Sequence, residues 1–255
     1  MRIWPKALAT AFIFLTRLPM PTLDKIDPED QGRSLVFFPL VGLAIGLLLA
    51  LLAFALSSLL SPLVLAALLT ASWAAVTGGL HLDGLADSAD GFLAGTDNID
   101  RTLNIMHDSR CGSGALVAVC CLLMLKFAAL SVIVEQGLWS ALIIAAVLGR
   151  CVAPLLLIRG TLFYTPYVQA SGIAKNFIEH CPSFIRYSLL AAVIFCAMLS
   201  GHLFTATLVI GTSAVTLYAM RRLMLKRLGG ATGDTAGATT EVIETVILIA
   251  CGIAI

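Results

Sequence analysis

An all-α, multi-pass membrane fold is predicted for this chain by its composition, its apolar runs and the charges of its loops. Of its 255 residues, 59% are hydrophobic and 12% charged, and the mean hydropathy is +0.98. A soluble domain carries about a quarter charged residues, so this surplus of apolar surface needs lipid to cover it. A net charge of +1 gives no bulk case for nucleic-acid binding. The seven cysteines are scattered, without a Cys-x-x-Cys pair, and read as small packing residues kept reduced.

The N-terminus is basic and then apolar, like a secretory signal. Arg17 and Pro19 interrupt the apolar stretch, however, and no small-x-small cleavage site follows. Residues 4–20 are therefore expected as a helix in the cytoplasmic interface, with Lys6 and Arg17 at headgroup level. No charged residue occurs between Ser34 and Leu80, which is too long for one span, since a helix crosses in roughly 20 residues. Ser61-Pro62 divides the run into 35–60 and 63–80. Further apolar runs at 114–134, 138–158, 187–200, 203–220 and 242–255 bring the expectation to about seven transmembrane helices. No repeat or composition shift marks a second domain, so residues 1–255 read as a single membrane-embedded catalytic domain.

Loop charges orient these spans. Arg2, Lys6, Arg17, Lys25 and Arg33 precede the first. Arg101 and Arg110 follow the second, Arg159, Lys175 and Arg186 the fourth, and Arg221, Arg222, Lys226 and Arg227 the sixth. The intervening turns at 61–62, 135–137 and 201–202 carry no Lys or Arg. The positive-inside rule puts the N-terminus and every long loop in the cytoplasm, and the C-terminus outside. The outer turns are too short for chemistry, so function is expected at the cytoplasmic face.

Three segments there carry chemistry. In Gly78-Gly79-Leu80-His81-Leu82-Asp83-Gly84-Leu85-Ala86-Asp87-Ser88-Ala89-Asp90-Gly91, the acids Asp83, Asp87 and Asp90 are spaced i, i+4, i+7, on one face of a helix. Stacked anions repel, at high cost near a low-dielectric membrane, and a hard cation removes that cost. Mg²⁺ commonly takes a few carboxylates plus substrate phosphates. The alternative is a solvated acidic loop. The second segment, Asn104-Ile105-Met106-His107-Asp108-Ser109-Arg110-Cys111-Gly112-Ser113-Gly114, opens the third span. Its cation, hydroxyls and glycines make either a phosphate cradle or an ordinary helix cap. The third, from Gly229 to Glu241, opens the last span. Its glycines at 229, 233 and 237 predict tight helix packing, and Asp234 there is a further candidate ligand.

Lys126 and Arg150 fall inside the third and fourth spans, where a charge needs a partner or a wet cavity. Snorkelling accounts for either equally well. Arg150 lies roughly 12 Å along the helix from Ile158, within reach of a phosphate near the cytoplasmic face. Phe163, Tyr164, Tyr167 and Phe177 can stack on a substrate ring, but interface aromatics explain them too. His81 fits a structural hydrogen bond or a catalytic role, and His107 can act as a base beside Asp108.

The acidic run resembles the signature of the cobalamin synthase family, the adenosylcobinamide-GDP ribazoletransferases. Phe14-Leu15-Thr16-Arg17-Leu18-Pro19, Met106-His107-Asp108-Ser109-Arg110-Cys111-Gly112 and Gly229-Gly230-Ala231-Thr232-Gly233-Asp234 fit it as well. The likeness spans residues 14–244. The family often carries a lysine where His107 stands, so His107 is given no essential role. The resemblance implies a Mg²⁺-dependent phosphotransferase of the bacterial plasma (inner) membrane. It joins adenosylcobinamide-GDP to α-ribazole or its 5′-phosphate and releases GMP. It makes Asp83, Asp87, Asp90 and Asp234 the metal ligands, and Asp108 and His81 the catalytic residues. Arg17, Arg110, Arg150, Gly112, Thr232 and Thr235 would hold substrate. Partners implied are the two substrates, the lipid bilayer, and further copies of the chain or other corrin-assembly enzymes.

Three other readings compete, one of them a membrane scaffold that organises other corrin-assembly enzymes and would tolerate neutral replacement of the acids. A CDP-alcohol phosphotransferase also carries acids at the cytoplasmic end of membrane helices, but its usual Asp-x-x-Asp-Gly-x-x-Ala-Arg opening is absent here. A cation-coupled transporter needs ionisable groups near the midplane, and only Lys126 and Arg150 support it.

Overall fold

The computed structural model describes residues 3–23, 25–96, 98–169 and 173–254. Arg2, counted among the N-terminal cations, and Ile255, the expected end of the last span, lie outside them. The helices are α1 Ile3–Leu15, α2 Pro28–Ser34, α3 Phe38–Leu56, α4 Pro62–Thr77, α5 Leu80–Ala94 and α6 Ile99–Met106. They continue as α7 Ser113–Glu135, α8 Trp139–Leu157, α9 Ile173–Glu179, α10 Ile185–Leu199, α11 Leu203–Leu228 and α12 Gly233–Ile253. A single 3-10 turn, Leu35–Phe37, joins α2 to α3. Among the described residues there is no strand, only an isolated bridge between Tyr167 and Ala231. The all-α expectation holds because, in lipid, only internal backbone hydrogen bonds replace those lost from water.

Each expected span is a helix, but length supports fewer crossings. Pro28–Leu56, α7, α8, α11 and α12 are long and apolar enough to span. The 16-residue α4 is followed, across a 90° bend, by α5, and the two would count as a sixth span only together. The 15 residues of α10 reach roughly 22 Å, short of a hydrocarbon core of about 30 Å. Two boundaries differ from expectation. α11 runs past residue 220 through Arg221, Arg222, Lys226 and Arg227, which carry it beyond its apolar part. α12 begins at Gly233 rather than 242, because Thr232 and Thr235 form a capping box that starts the helix there.

The centre of the bundle is α8 and α12, 78% and 72% buried over their apolar windows, against 17% for α11. α8 packs on α3 and α12, and α12 packs on α5, α7 and α11. The contact of α3 with α8 is close because a Cβ at Gly42 would sit 2.4 Å from the Ala146 carbonyl oxygen. Large apolar side chains point outward: Leu51 and Phe54 on α3, Leu116 and Met124 on α7, Phe204 and Val215 on α11. Apolar residues facing out around a buried polar centre are the pattern lipid selects.

At the N-terminus, α1 is shorter than the expected helix over 4–20. The chain leaves it before Pro19, and the Arg17 amide donates to the Val76 carbonyl at 2.7 Å. Lys6 bridges Asp27 and Asp30 at 3.2 and 3.0 Å, which fastens α1 to α2. The three glycines of the third segment do not act as one stripe. Gly237 packs against His81, whereas Gly229 takes φ +72° as the left-handed cap of α11.

Candidate active site

The acidic row is positioned by a corner. Gly78 and Gly79 both have positive φ, 64° and 70°, a conformation glycine adopts without strain. They end α4, and α5 leaves at 90° to it. Arg17 packs on the same corner, where a Cβ on Gly78 would meet its Nε at 2.2 Å. It is exposed and does not line the main cavity.

The N-terminus of α12 crosses α5 at Gly84, where a Cβ would lie 2.6 Å from the Asp234 carbonyl oxygen. That close approach brings Asp234 to Asp83 although they are far apart in sequence. Both line a cavity of about 420 Å³. Burial, and then the neighbouring Asp83, Asp234 and Asp90, push the Asp87 carboxyl up to about 6. Asp90 is engaged elsewhere. Its two oxygens accept from the backbone N–H groups of Gly112 at 2.6 Å and Ala115 at 2.8 Å, so it caps α7 and ties that helix to α5. Gly112 lies so close that a Cβ there would be 2.6 Å from an Asp90 oxygen. Asp90→Ala is expected to cost about 1–2 kcal/mol of stability through the lost cap. Thermal unfolding in micelles measures this, and an unchanged midpoint would remove the capping role.

Among the described residues, no group of three or more His, Cys, Asp or Glu side chains is arranged to hold a metal ion by itself. The donors nevertheless fit Mg²⁺, which usually takes one or two carboxylates together with substrate phosphates. Asp83, Asp87 and Asp234 are hard oxygen donors, and burial, followed by Asp83 and Asp234, raises the proton affinity of Asp87. Mg²⁺ held there would take its remaining ligands from phosphate or water.

The second segment divides. Asp108 and Arg110 pair with each other at 2.6 Å in the open, lining a separate shallow cavity with Asp90 and Gly112. The Arg110 guanidinium holds the Asp108 carboxyl down to about 2, a poor proton affinity for a base near neutral pH. Asp108→Asn is expected to lower turnover less than about 10-fold, below the usual range for a lost general base. A larger drop with normal substrate affinity would restore Asp108 to the chemistry. His107, by contrast, lines the main cavity. Its Nε2 lies 3.1 Å from the Gln169 amide nitrogen, and the Tyr167 hydroxyl donates to Gln169 Oε1 at 2.8 Å. No sequence signal links this trio, because the loop of Tyr167 and Gln169 reaches His107 only through the fold.

The remaining candidates are placed as follows. The hydroxyls of Thr232 and Thr235 are buried within the capping box of α12. His81 is buried in the cavity wall. The two intramembrane cations have partners that periodicity did not pick out. Lys126 reaches Glu241 at 2.6 Å and Glu244 at 2.7 Å, and it sits 4.7 Å from the centre of the Trp73 ring. Arg150 pairs with Glu244 from the other side. All four side chains are buried, so α7, α8 and α12 are joined by a closed ionic network.

Residues 7–252 match the model of the cobalamin-5-phosphate synthase family. The chain is similar to an adenosylcobinamide-GDP ribazoletransferase of Pseudomonas fluorescens, 42% identical over 94% of this chain and 96% of that protein. A Pseudomonas entomophila protein of the same name is 43% identical over 94% and 95% of the two chains. A third, from Stutzerimonas stutzeri, is 42% identical over 95% and 96%. No solved structure matches the chain. With nearly its whole length covered by that family, this helical membrane protein belongs to the cobalamin-5-phosphate synthases, transferases of cobalamin biosynthesis.

Proposed function

We propose that this protein joins adenosylcobinamide-GDP to α-ribazole or its 5′-phosphate in a Mg²⁺-dependent phosphoryl transfer. The observation that carries the reading is the meeting of Asp83 and Asp234 in one cavity beside His107. A ribazole hydroxyl attacks the cobinamide-linked phosphorus, a new P–O bond forms, and GMP leaves with the bridging oxygen. His107, whose Nε2 accepts from the Gln169 amide, would take the hydroxyl proton at Nε2 after giving up that hydrogen bond. Asp83, Asp87 and Asp234 would hold Mg²⁺, whose chemistry is to offset charge on the two phosphates and align them with the nucleophile. The decisive experiment supplies the protein in lipid with both substrates and Mg²⁺. GMP release with cobalamin product is expected, and absence of both overturns the reading.

Folding should couple to this site. The Asp87 carboxyl is raised above its ordinary value of 3.8 to about 6. The sign follows from linkage: the folded state binds the proton more tightly, so that contribution is present below about 3.8 and lost as pH rises through about 6. With chelator, the unfolding midpoint should therefore fall between pH 5 and 7.5. Mg²⁺ should restore it, because a ligand of the folded state stabilises by mass action. No response to Mg²⁺ at pH 7.5 would argue against the carboxylate site.

Part of the cavity wall comes from segments that the charge rule assigns to the cytoplasm: His107, the loop of Tyr167 and Gln169, and the start of α12. We place the site on that face of the bacterial plasma membrane, with the N-terminus inside and the C-terminus outside. A cysteine at Ser109 should react only from the cytoplasmic side. Transport loses its main support, since Lys126 and Arg150 are paired with Glu241 and Glu244.

A further inference from the structure

The cavity has a second end that the phosphate chemistry does not use. Phe14, Phe38 and Phe177 line it as a cluster, with ring centroids 4.8–6.0 Å apart. Arg150, with a fully buried side chain, lies on its wall. One guanidinium nitrogen donates to Glu244, but Nε and Nη2 are buried without a partner. Nδ1 of His81, on the same cavity, is also buried and unpartnered. A buried donor left unmade in this way is costly until something satisfies it.

Charge and size decide what that something is. Arg150 and Lys126 face Glu241 and Glu244, two cations against two anions, so this wall offers directed N–H donors without net positive charge. A phosphate buried there would lack a counter-charge. A neutral aromatic ring with one lone-pair nitrogen meets both the donors and the phenylalanines. About 420 Å³ lies within the roughly 300–1,000 Å³ of small-molecule pockets. It is too small for a corrin with its amide side chains.

We infer that this end is the base subsite of the nucleoside acceptor. The flat bicyclic base of ribazole lies among Phe14, Phe38 and Phe177, its free ring nitrogen accepts from Arg150, and its ribose reaches toward Asp83 and Asp234. Arg150 thereby acts on the base and not on a phosphate. The inference rests on the transferase reading above and adds which substrate enters which part of the cavity.

Two substitutions narrow the cavity without replacing an acid: Ala153→Leu on α8 and Ala174→Phe on α9, the latter beside Gly233 at the start of α12. In lipid-reconstituted protein, each should raise the KM for α-ribazole about tenfold or more, as small pocket changes do. The KM for adenosylcobinamide-GDP should stay within about twofold. Equilibrium dialysis of 5,6-dimethylbenzimidazole, the base alone, should show binding to the unsubstituted protein and weaker binding to both variants. Unchanged ribazole KM with unchanged base binding overturns the subsite. So does a rise confined to the KM for adenosylcobinamide-GDP. If the unsubstituted protein releases no GMP, the transferase reading fails, while the dialysis still decides whether this end holds an aromatic base.

Discussion

Replacing Asp83 or Asp234 by Asn should lower turnover at least about 100-fold and leave the fold intact. Asn keeps the size of the side chain and removes only the charge. Both residues line the open cavity, so no core packing is lost. Groups that stabilise charge developing in a transition state are commonly worth 10²–10³-fold each. The pair should also move the Mg²⁺ requirement upward, which a folding defect would not do. Asp90→Asn provides the internal comparison. Its partners are the amides of Gly112 and Ala115, and Asn still accepts through one oxygen. It should retain far more activity than Asp83→Asn. Full turnover in both Asp83→Asn and Asp234→Asn would remove the carboxylates from the mechanism, whatever the substrate.

Glu244→Gln should be among the most destabilising single changes in the chain. Glu244 serves Lys126 on one side and Arg150 on the other, with its side chain wholly buried. The substitution leaves two buried cations facing Glu241 alone. Removing one partner of a buried ion pair typically costs about 3–5 kcal/mol, because the surviving charge is stranded. Removing both partners together behaves differently. Arg150→Met with Glu244→Leu leaves Lys126 and Glu241 balanced and should recover most of the loss. Thermal unfolding in mixed micelles separates the cases. If the single and double variants unfold alike, the network is not a mutual dependence but a set of independent contacts. The double variant should still bind 5,6-dimethylbenzimidazole weakly, since it lacks the Arg150 donors.

Much of this architecture is local and could be read from order alone. Apolar runs become helices because each residue's backbone partner is four positions away. The shared face of Asp83 and Asp87 follows from the same short-range geometry, whereas the corner at Gly78-Gly79 appears only in the fold. Family membership too was legible, in the acidic run and the three shorter matches. Residues 229–241 were harder. The apolar run there begins only at 242, yet residues 233–241 are the buried first turns of α12, started by its own cap.

Local spacing placed Asp90 with Asp83 and Asp87. The fold separates its role from theirs. Asp90 goes to the amides of α7, Asp234 to Asp83, and Glu241 to Lys126. Asp108 likewise goes to Arg110, and His107 takes the position at the cavity. Sequence by itself determined that acids and cations would gather at one end of a lipid-borne helix bundle. Only the tertiary structure decided which acid faces which partner. Those pairings join helices far apart in the chain, and they depend on where glycines such as Gly84 let two backbones meet.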